Sequence, residues 1–484
     1  MDQYFDVLKT VYEHYLSYLE KDEYGLNLID PVDKKVIGFH YGETHLGGAF
    51  VIGGIKYEMP EMVEAGISIL NSFMVHAQEY QQQVAYHWDF NNFALCVIYE
   101  YLEKIEKLPE LRSKIKAFVL LQQDSNNATI NWLPMRIFVN DWKFRWTKDE
   151  NYKTRINNFK KRIKEAQYSD GFIEDLLPKG TSFNFQYHIF TTAMLTFLDI
   201  RGIQIANLDA AISRSIDVMD TEGDINYLGR GNNQIFAWGP AIYLYTTINS
   251  SNAEKAWEYI QQRGLTAIRN DNIIINEFPG NEKIWWWDYH FCSVYIAHYI
   301  FWLMLTATEE KKKKWEYKKT EKSDSGVHIY NDKNYIVTFD GRKHYLAESG
   351  KVISNISRSG KTLFKGSFGP YFKEYGFKHS SPIDSLHNFI GIIHTEMKHG
   401  LYSERVIYPE IISVTEEKII LKYKKPIKGI LNIAWFDNKP PFVSDGKNQI
   451  VIRENSMFKG PYGWVYLFQS KEIKVDVVEV KIGE

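Results

Sequence analysis

The chain has 484 residues and a mass of 56.8 kDa, which is too long for one ordinary domain and predicts two or three. Hydrophobic residues make up 44% and charged residues 24%, a composition that excludes a disordered chain and predicts packed globular domains. The 58 Lys and Arg nearly balance the 60 Asp and Glu, so a net charge of -2 gives no general attraction to polyanions. We therefore predict that neither nucleic acid nor a membrane is a partner.

Cysteine content and the N-terminus bear on the cellular compartment. Cys96 and Cys292 are too few for a disulfide scaffold, and no Cys/His group has zinc-finger spacing. The first residues, MDQYFDVLKTVYEHYL, lack the basic start and the apolar run of a signal peptide. We expect a cytoplasmic or phage-associated protein, or one whose leader has been removed. The apolar stretch Cys292–Thr306 is short for a membrane span and is interrupted by His298, so it predicts a buried helix.

The first two thirds of the chain predict helices, because apolar residues recur there at helical spacing. The segments with this pattern are Pro60–Gln82, Asn91–Lys107, Leu111–Gln123, Asn131–Asn140, Asn151–Ala166, Gln186–Ile200, Leu208–Met219, Gln234–Thr247, Ala253–Gly264 and Trp285–Thr306. Helix pairs repeated over this length predict a toroid or an α-solenoid. The lack of a fixed sequence period argues against a simple repeat array.

The last third of the chain predicts strands. The segment Glu309–Gly326 is highly charged and predicts a solvated linker or the tail of a helix. Short β-branched and aromatic runs follow it: Tyr335–Phe339, Val352–Ser357, Val406–Tyr408, Ile411–Val414, Lys418–Tyr423, Gly429–Trp435, Gln449–Arg453, Gly463–Phe468 and Ile473–Ile482. Helices followed by strands indicate an α+β multidomain protein. We predict an incomplete (α/α) toroid as the catalytic domain at residues 1–315, a linker at 316–325 and an antiparallel β-sandwich at 326–484.

Three polar motifs in the helical part carry residues suited to chemistry. Tyr187 and His188 open a predicted helix behind a polar loop, where they could transfer protons or be a core aromatic and its neighbour. Asn131 could donate its amide to a carboxylate, or could cap the helix whose first turn holds Pro134. Arg230 lies between two glycines, where it could bind a carboxylate bidentately or be a solvated turn residue.

Aromatic residues are abundant, with 13 Trp, 32 Tyr and 29 Phe making up 15% of the chain. They predict either a large aromatic core or a cleft in which flat rings stack on sugar faces. Two clusters mix rings with polar groups. One runs from Tyr86 to Asn92, where Asp89 could also cap a helix. The other is Trp285–His290, whose three consecutive tryptophans cannot all lie on one face of a helix.

In their order along the chain, the motifs resemble those of the α/α-toroid polysaccharide lyases. This group includes heparinase II/III-like enzymes, chondroitin AC and hyaluronate lyases, and toroid alginate lyases. The resemblance rests on Asn131-Trp132, Asp170-Gly171-Phe172, Tyr187-His188 and Gly229-Arg230-Gly231. Asn, Tyr and Arg follow one another as in the family, with a similar separation of Asn and Tyr. The order of helical and strand regions resembles the family over most of the chain, whereas the motifs match at only a handful of residues.

The resemblance implies β-elimination on an anionic substrate, a polysaccharide or oligosaccharide that contains uronic acid. In that reaction an amide or a cation neutralises the carboxylate, a base removes the C5 proton, and an acid protonates the leaving O4. By this resemblance Asn131 neutralises the carboxylate and Tyr187 is base and acid. Arg230 then activates Tyr187 or holds the substrate, and His188 joins the catalytic set. The resemblance implies no metal and no other cofactor.

Residues around these motifs complete the predicted site as substrate-binding groups. They are Asn127, Trp132, Trp88, Asn92, Asn233, Trp286 and His290. Asn127 lies one helical turn before Asn131 and is a second candidate for the neutralising amide. Some members take a histidine from the β domain, and His344, His379 and His387 are candidates for that role.

Other activities stay open at this point. Glycoside hydrolysis on a similar toroid would need two carboxylic acids in the cleft. Possible pairs come from Asp89, Asp170, Glu174, Asp175 and Asp288. A uronyl C5-epimerase shares the first proton abstraction and differs in the return step. A non-catalytic carbohydrate-binding protein would keep the aromatic residues without needing Tyr187 together with Asn131.

Overall fold

In a computed structural model, the described part of the chain comprises residues 3–29, 41–83, 88–122, 129–180, 185–205, 207–227, 235–262, 267–269, 272–274, 293–319, 324–331, 334–339, 343–344, 347–348, 352–358, 361–365, 390–394, 406–407, 411–415, 417–435, 437–460 and 463–481. Its long helices come first and its large sheets follow, as the sequence predicts.

The described helices form two layers. In chain order they are α1 (Gln3–Tyr15), α2 (Gly42–Lys56), α3 (Pro60–Gln83), α4 (Trp88–Lys104), α5 (Pro109–Leu121), α6 (Leu133–Thr147), α7 (Glu150–Ala166), α8 (Phe185–Asp199), α9 (Leu208–Asp217), α10 (Trp238–Thr247), α11 (Asn252–Gln262) and α12 (Ser293–Thr308). The even-numbered helices are buried on most sides, whereas the odd-numbered ones alternate buried and exposed residues. Helices that are apolar all round belong inside, and amphipathic ones cover them.

The even-numbered helices form a closed ring. Each packs against the next, in the order α2, α4, α6, α8, α10 and α12, and α12 packs against α2. The outer helix α1 contacts both α12 and α2, where the ring closes. The fold is therefore an (α/α) toroid, as predicted, but its inner ring closes where the sequence predicted an incomplete one. The helices α1 and α2, which were not among the predicted helices, complete it.

Glycine permits the close approach of α2 and α3. A Cβ atom built on Gly66 of α3 would lie 2.6 Å from the carbonyl oxygen of Gly47 and 2.9 Å from the amide nitrogen of Val51, both in α2. These two atoms belong to the backbone, so neither can move aside unless a helix shifts. A side chain at this position is therefore incompatible with the observed helix spacing.

Replacing Gly66 by alanine is expected to lower the free energy of unfolding by about 1–3 kcal/mol, because the methyl group overpacks this contact. Helix propensity alone predicts the opposite sign, since alanine is favoured over glycine by about 1 kcal/mol inside a helix. The measurement is the urea midpoint of the helical domain. At Glu64, exposed on the same helix, alanine should instead be more stable than glycine. A stabilised Gly66→Ala variant would contradict the close approach.

Short strand pairs accompany the helices, and larger antiparallel sheets follow them. The strands are β1 (Leu19–Lys21), β2 (Leu26–Leu28), β3 (Ala267–Arg269), β4 (Asn272–Ile274), β5 (Val327–Asn331), β6 (Asn334–Phe339), β7 (Lys343–His344), β8 (Ala347–Glu348), β9 (Val352–Arg358), β10 (Lys361–Lys365), β11 (Ile390–His394), β12 (Val406–Ile407), β13 (Ile411–Val414), β14 (Lys418–Trp435), β15 (Val443–Ser444), β16 (Ile452–Gly460) and β17 (Gly463–Lys481).

The C-terminal strands form two main sheets. One has the order β10-β9-β6-β5, and the other has the order β12-β11-β14-β17-β15, with β13 paired to β14 and β16 paired to β17. The pairs β1-β2, β3-β4 and β7-β8 stand apart from them. Sandwich packing of the two main sheets, and the domain boundaries at 315 and 326, stay predictions.

The charged segment after α12, residues 309–319, lies against the helical domain and is called the strap. The Nζ atom of Lys311 donates to the carbonyl oxygen of Ile200 at 3.2 Å, and that of Lys312 donates to the carbonyl oxygen of Thr246 at 3.1 Å. Carbonyl groups at helix C-terminal ends carry partial negative charge and favour cations. The described strap contains no helix, so the helix-tail alternative does not hold for residues 309–319, and most of these residues are exposed although the segment is anchored.

Candidate active site

One end of the toroid is lined by an aromatic side chain from each inner helix. These six side chains, called the aromatic rim, are Tyr41 just before α2, Phe90 in α4, Trp132 just before α6, Tyr187 in α8, Phe236 just before α10, and Tyr295 in α12. Each stands at the N-terminal end of its helix, so the inner helices point in one direction. The rim therefore gathers residues from the whole length of the helical domain.

Ring contacts connect the aromatic rim. Phe90 lies 6.2 Å from Trp132 and 6.0 Å from Phe236, measured between ring centroids. Phe236 in turn lies 6.1 Å from Tyr187 and 5.7 Å from Tyr295. Phe90 and Phe236 are buried, whereas Trp132, Tyr187 and Tyr295 are partly exposed. The partly exposed rings can present apolar faces and phenol groups to a ligand. Trp132 and Tyr187, both predicted from the sequence as site residues, thus lie in the same aromatic rim.

Asn131 lies in a 3₁₀ turn, Ile130–Trp132, which packs against α6, α7 and α8. Its side chain is buried, and its Oδ1 accepts a hydrogen bond from the hydroxyl group of Thr129. The capping alternative does not hold for α6, because that helix begins at Leu133 without a side-chain cap. Asn131 and Tyr187 therefore lie on elements that pack against each other.

His188 is fully buried beside Tyr187 and makes its contacts inside the protein. Its Nδ1 accepts a hydrogen bond from the amide of Ile173 at 3.2 Å, and its Nε2 lies 3.2 Å from the Oγ of Ser215. Because Nδ1 is an acceptor, the neutral ring carries its hydrogen on Nε2 and donates it to Ser215. Burial, together with the nearby charge of Arg214, lowers the pKa of His188 to about 3. This placement gives His188 internal contacts and no open face toward a substrate.

Three predicted residues, Trp88, Asp89 and Asn92, are buried in the first turns of α4. Asp89 binds Arg136 of α6 through two bonds, Nε to Oδ1 at 2.9 Å and Nη2 to Oδ2 at 3.0 Å, so it joins an ion pair rather than a helix cap. Trp88 stacks on Phe73 of α3, with ring centroids 5.7 Å apart. Trp88 therefore packs toward the outer layer of helices.

Two further carboxylates considered for hydrolysis hold the segment Gln167–Asp175, called the site turn. The Oε2 of Glu174 accepts a hydrogen bond from the hydroxyl of Tyr168 at 2.6 Å. The Oδ2 of Asp170 accepts a hydrogen bond from the hydroxyl of Ser325 at 2.5 Å, close to the first strand of the C-terminal sheets. Both acids are buried and have structural contacts.

Two histidines lie next to the aromatic rim, and no sequence motif pointed to them. His45 of α2 and His298 of α12 have ring centroids 5.1 Å apart, and His298 stacks on Phe236 at 4.6 Å. Desolvation lowers the pKa of His45 to about 3 and that of His298 well below its usual value. The one sequence signal for either histidine was that His298 interrupts an apolar run.

Stability is expected to fall as pH drops below about 6.5, the usual pKa of histidine in an unfolded chain. His45, His188 and His298 stay neutral in the fold because burial lowers the pKa of each, so protons bind preferentially to the unfolded chain. Each histidine then removes roughly 1.4 kcal/mol of stability per pH unit. Glu43 acts in the opposite sense. Burial raises its pKa to about 8, so its contribution is present at low pH and is lost as pH rises.

Between about pH 6.5 and pH 4.5, the three histidines act against Glu43 and against Asp141 and Asp217, whose carboxyl pKa values burial also raises, so the net loss is at most roughly 2.7 kcal/mol per pH unit. Urea midpoints measured across this range check the slope. The variant His298→Phe keeps a flat ring beside Phe236 and removes one titrating group, so it should reduce the slope by about half. A midpoint that stays constant down to pH 5 would contradict the expectation.

Several predicted residues lie outside the described part of the chain. They are Asn127, Arg230, Asn233, Asp288, Trp286, His290, His379 and His387. The segment that leads to Arg230 is described as far as Tyr227. The ring of Tyr227 contacts that of Phe185 edge to face at 5.1 Å, and its hydroxyl donates to the carbonyl oxygen of Val218 at 2.7 Å. The approach to the Arg230 motif is thus anchored at the start of α8.

Among the residues that the structure describes, no group of three or more His, Cys, Asp or Glu could hold a metal ion. Within the same residues, no helix has both the length and the apolar character needed to cross a membrane. The predicted apolar stretch Cys292–Thr306 corresponds to α12, which is buried in the ring, as expected.

The sequence matches no known protein family and no curated protein. Similar solved structures include the alpha-1,6-mannanase GH76A of Salegentibacter sp. HEL1_6, at 11% identity and a TM-score of 0.45, covering 63% of this chain and 100% of that one. Cellobiose 2-epimerase from Bacillus thermoamylovorans B4167 has 12% identity and a TM-score of 0.43 over 63% of this chain and 100% of its own. A polysaccharide lyase has 11% identity and a TM-score of 0.38 over 63% and 97%. These likenesses are too distant to select a reaction.

Proposed function

We propose that the protein is a carbohydrate-active enzyme that cleaves an anionic, uronic-acid-containing polysaccharide or oligosaccharide by β-elimination. The observation that carries this proposal is the placement of Tyr187. Its ring is partly exposed in the aromatic rim, and its helix packs against the 3₁₀ turn that holds Asn131. A phenol and an amide on neighbouring elements are two groups that this reaction uses.

Asn131 is proposed to neutralise the carboxylate of the substrate. Its Oδ1 already accepts a hydrogen bond from Thr129, so its NH₂ group is the end that donates. Donation to the uronate reduces the negative charge that opposes removal of the neighbouring C5 proton. Because the amide is buried, it is held in place before the substrate arrives and loses little free energy to reorganisation.

Tyr187 is proposed to remove the C5 proton as a phenolate and to return a proton to O4. The C5–H electron pair forms the C4–C5 double bond as the C4–O4 bond breaks, so no water is consumed. A nearby cation favours the phenolate, and Arg230 is the proposed source of that charge. Support comes from Tyr227, whose ring contact with Phe185 anchors the chain leading to Arg230 beside the start of α8.

Three of the five candidate carboxylates have structural contacts that weigh against hydrolysis; of the other two, Asp175 is buried and Asp288 lies outside the described residues. A hydrolase needs two acids that face the substrate. Asp89, in the first turn of α4, is bound to Arg136. Glu174 and Asp170 hold the site turn through Tyr168 and Ser325. An acid engaged in this way would have to lose a buried contact before it could serve the reaction.

The proposal is tested with a panel of uronic-acid polymers, including alginate, chondroitin and hyaluronan. We expect near-UV absorbance of a 4,5-unsaturated product to rise with at least one of them. New reducing ends without that absorbance would instead indicate hydrolysis. Solvent deuterium at C5 without cleavage would indicate an epimerase. Binding without any chemical change would indicate a non-catalytic carbohydrate-binding protein.

A further inference from the structure

We propose that His188 is a positioning residue that holds Tyr187 and Asn131 in register by joining the helix of the first to the turn that supports the second. This inference rests on the proposed function and deepens it, because it assigns His188 a role other than proton transfer. A path of buried hydrogen bonds runs from α8 through the site turn to the 3₁₀ turn.

The path begins at the imidazole ring. Its Nδ1 accepts from the amide of Ile173 in the site turn at 3.2 Å, which fixes the turn to α8 one residue after Tyr187. The ring also packs edge to face on Phe172, with centroids 4.9 Å apart. A ring contact and a hydrogen bond on adjacent residues fix both the distance and the orientation of the turn relative to the helix.

The path continues from the site turn to Asn131. Two residues after Ile173, the carbonyl oxygen of Asp175 accepts from the amide of Ile130 at 2.8 Å. Ile130 opens the 3₁₀ turn and directly precedes Asn131. His188, Ile173 and Asp175 thus link the helix of Tyr187 to the turn that carries the neutralising amide.

The other side of the imidazole is fixed as well. Its Nε2 donates to the Oγ of Ser215 in α9 at 3.2 Å, and that hydroxyl donates to the carbonyl oxygen of Ala211 at 3.0 Å. The carbonyl oxygen of Ser215 accepts from the hydroxyl of Tyr245 in α10 at 2.6 Å. The ring therefore cannot turn away from the site turn without breaking its contact with Ser215 of α9, a residue that Tyr245 in turn links to α10.

Such positioning affects the chemical step more than binding. A misplacement of about 1 Å between reacting groups can reduce a rate by about 10²-fold. Loss of the link should separate the phenol from the carboxylate-binding amide, which work together only in the transition state. The expected signature is a lower kcat with little change in KM.

The test compares three variants on the polymer that the wild-type protein cleaves. His188→Leu removes both hydrogen bonds and should lower kcat about 10²-fold, with KM within about threefold. His188→Asn keeps an oxygen where Nδ1 accepts from Ile173 and should recover about tenfold of that loss. The matched control is Thr196→Val, which removes a buried hydroxyl two turns along α8, bonded to the carbonyl oxygen of Thr192 at 2.9 Å, and should leave kcat nearly unchanged.

The pH profile separates positioning from proton transfer. The surviving activity of His188→Leu should have the same pH dependence as the wild type, because a neutral buried ring contributes no ionisation. If the plot of activity against pH for His188→Leu lacked one of the ionisations seen in the wild type, His188 would be a catalytic group and the proposal would be overturned. An unchanged kcat in His188→Leu would also overturn it.

Hydrogen exchange gives a readout that does not depend on activity. In His188→Leu the amides of Ile173 and Ile130 should lose protection together, whereas Thr196→Val should leave both protected. Loss of protection at Ile173 alone would contradict the proposed link between His188 and the turn that carries Asn131. If the wild-type protein cleaves no uronic-acid polymer, the proposed function fails, and the exchange result still decides whether His188 links the two turns.

Discussion

Replacing Tyr187 by phenylalanine is expected to lower the rate of β-elimination by about 10³-fold or more, because one phenol is proposed as both base and acid. Binding should change little, since phenylalanine keeps the ring and its contact with Phe236 at 6.1 Å. The rate is measured as the initial rise in near-UV absorbance, and the affinity by calorimetry with an oligosaccharide. A loss in kcat without a loss in affinity is the result that identifies a transition-state role.

Tyr295 provides a matched control for this experiment. It is also partly exposed in the aromatic rim, and its ring contacts the same Phe236 at 5.7 Å. The 3₁₀ turn of Asn131 makes its main contacts with α6, α7 and α8 and not with α12, which carries Tyr295, so Tyr295→Phe should reduce the rate by less than about tenfold. Retained turnover in Tyr187→Phe would rule out its assigned role. If Tyr295→Phe lost turnover and Tyr187→Phe retained it, Tyr295 would be the base and acid instead.

Most of the described helices were predicted from apolar residues at helical spacing, although α1, which buries Val7, Leu8 and Val11 on one face, was missed. Helix α3, observed at Pro60–Gln83, was predicted at Pro60–Gln82. Helix α2 was missed because five glycines in GETHLGGAFVIGGIK remove the helical signal that propensity would give. Those glycines are needed for close packing, as Gly47 against Gly66 shows. Tertiary packing therefore overrides local propensity where the ring closes, and that is why the toroid looked incomplete.

The long strands show a similar limit. The sequence predicted separate strands at Lys418–Tyr423 and Gly429–Trp435, whereas the structure has one strand, β14, over Lys418–Trp435. Its register with β17 shifts between Lys422 and Ile427, around a Lys-Lys-Pro sequence. A local break in the strand pattern marked an irregularity within one strand and not its end.

The candidate site was predictable only where its residues are close in sequence. Trp132 and Tyr187 were found because each stands beside a polar motif at a helix start. Tyr41, Phe236 and Tyr295 were not singled out from the sequence, and only the closed ring of helices brings them together. Periodicity predicts that a residue is buried, but it does not say which distant residue it contacts. The architecture of the ring therefore had to be known before the aromatic rim could be recognised.

The ion pair between Asp89 and Arg136 is expected to contribute strongly to stability. Asp89→Ala should lower the free energy of unfolding by about 3–5 kcal/mol, because it leaves the Arg136 guanidinium buried without its carboxylate. The two side chains are only 5% and 3% exposed and are joined by two hydrogen bonds. Urea unfolding followed by near-UV circular dichroism measures the change in the helical domain.

A double-mutant cycle separates the pair from its parts. Removing both charges, with Asp89→Leu and Arg136→Met, should recover about 2 kcal/mol or more relative to the sum of the single changes. The pair Lys153–Glu150 has the same 2.9 Å separation but side chains 49% and 71% exposed, so Glu150→Gln should change stability by less than about 1 kcal/mol. If Asp89→Ala also lowered the free energy of unfolding by less than about 1 kcal/mol, burial would not make the Asp89–Arg136 pair more important to stability than the exposed pair. The contact between α4 and α6, which places their aromatic residues at one end of the ring, would then depend on apolar packing alone.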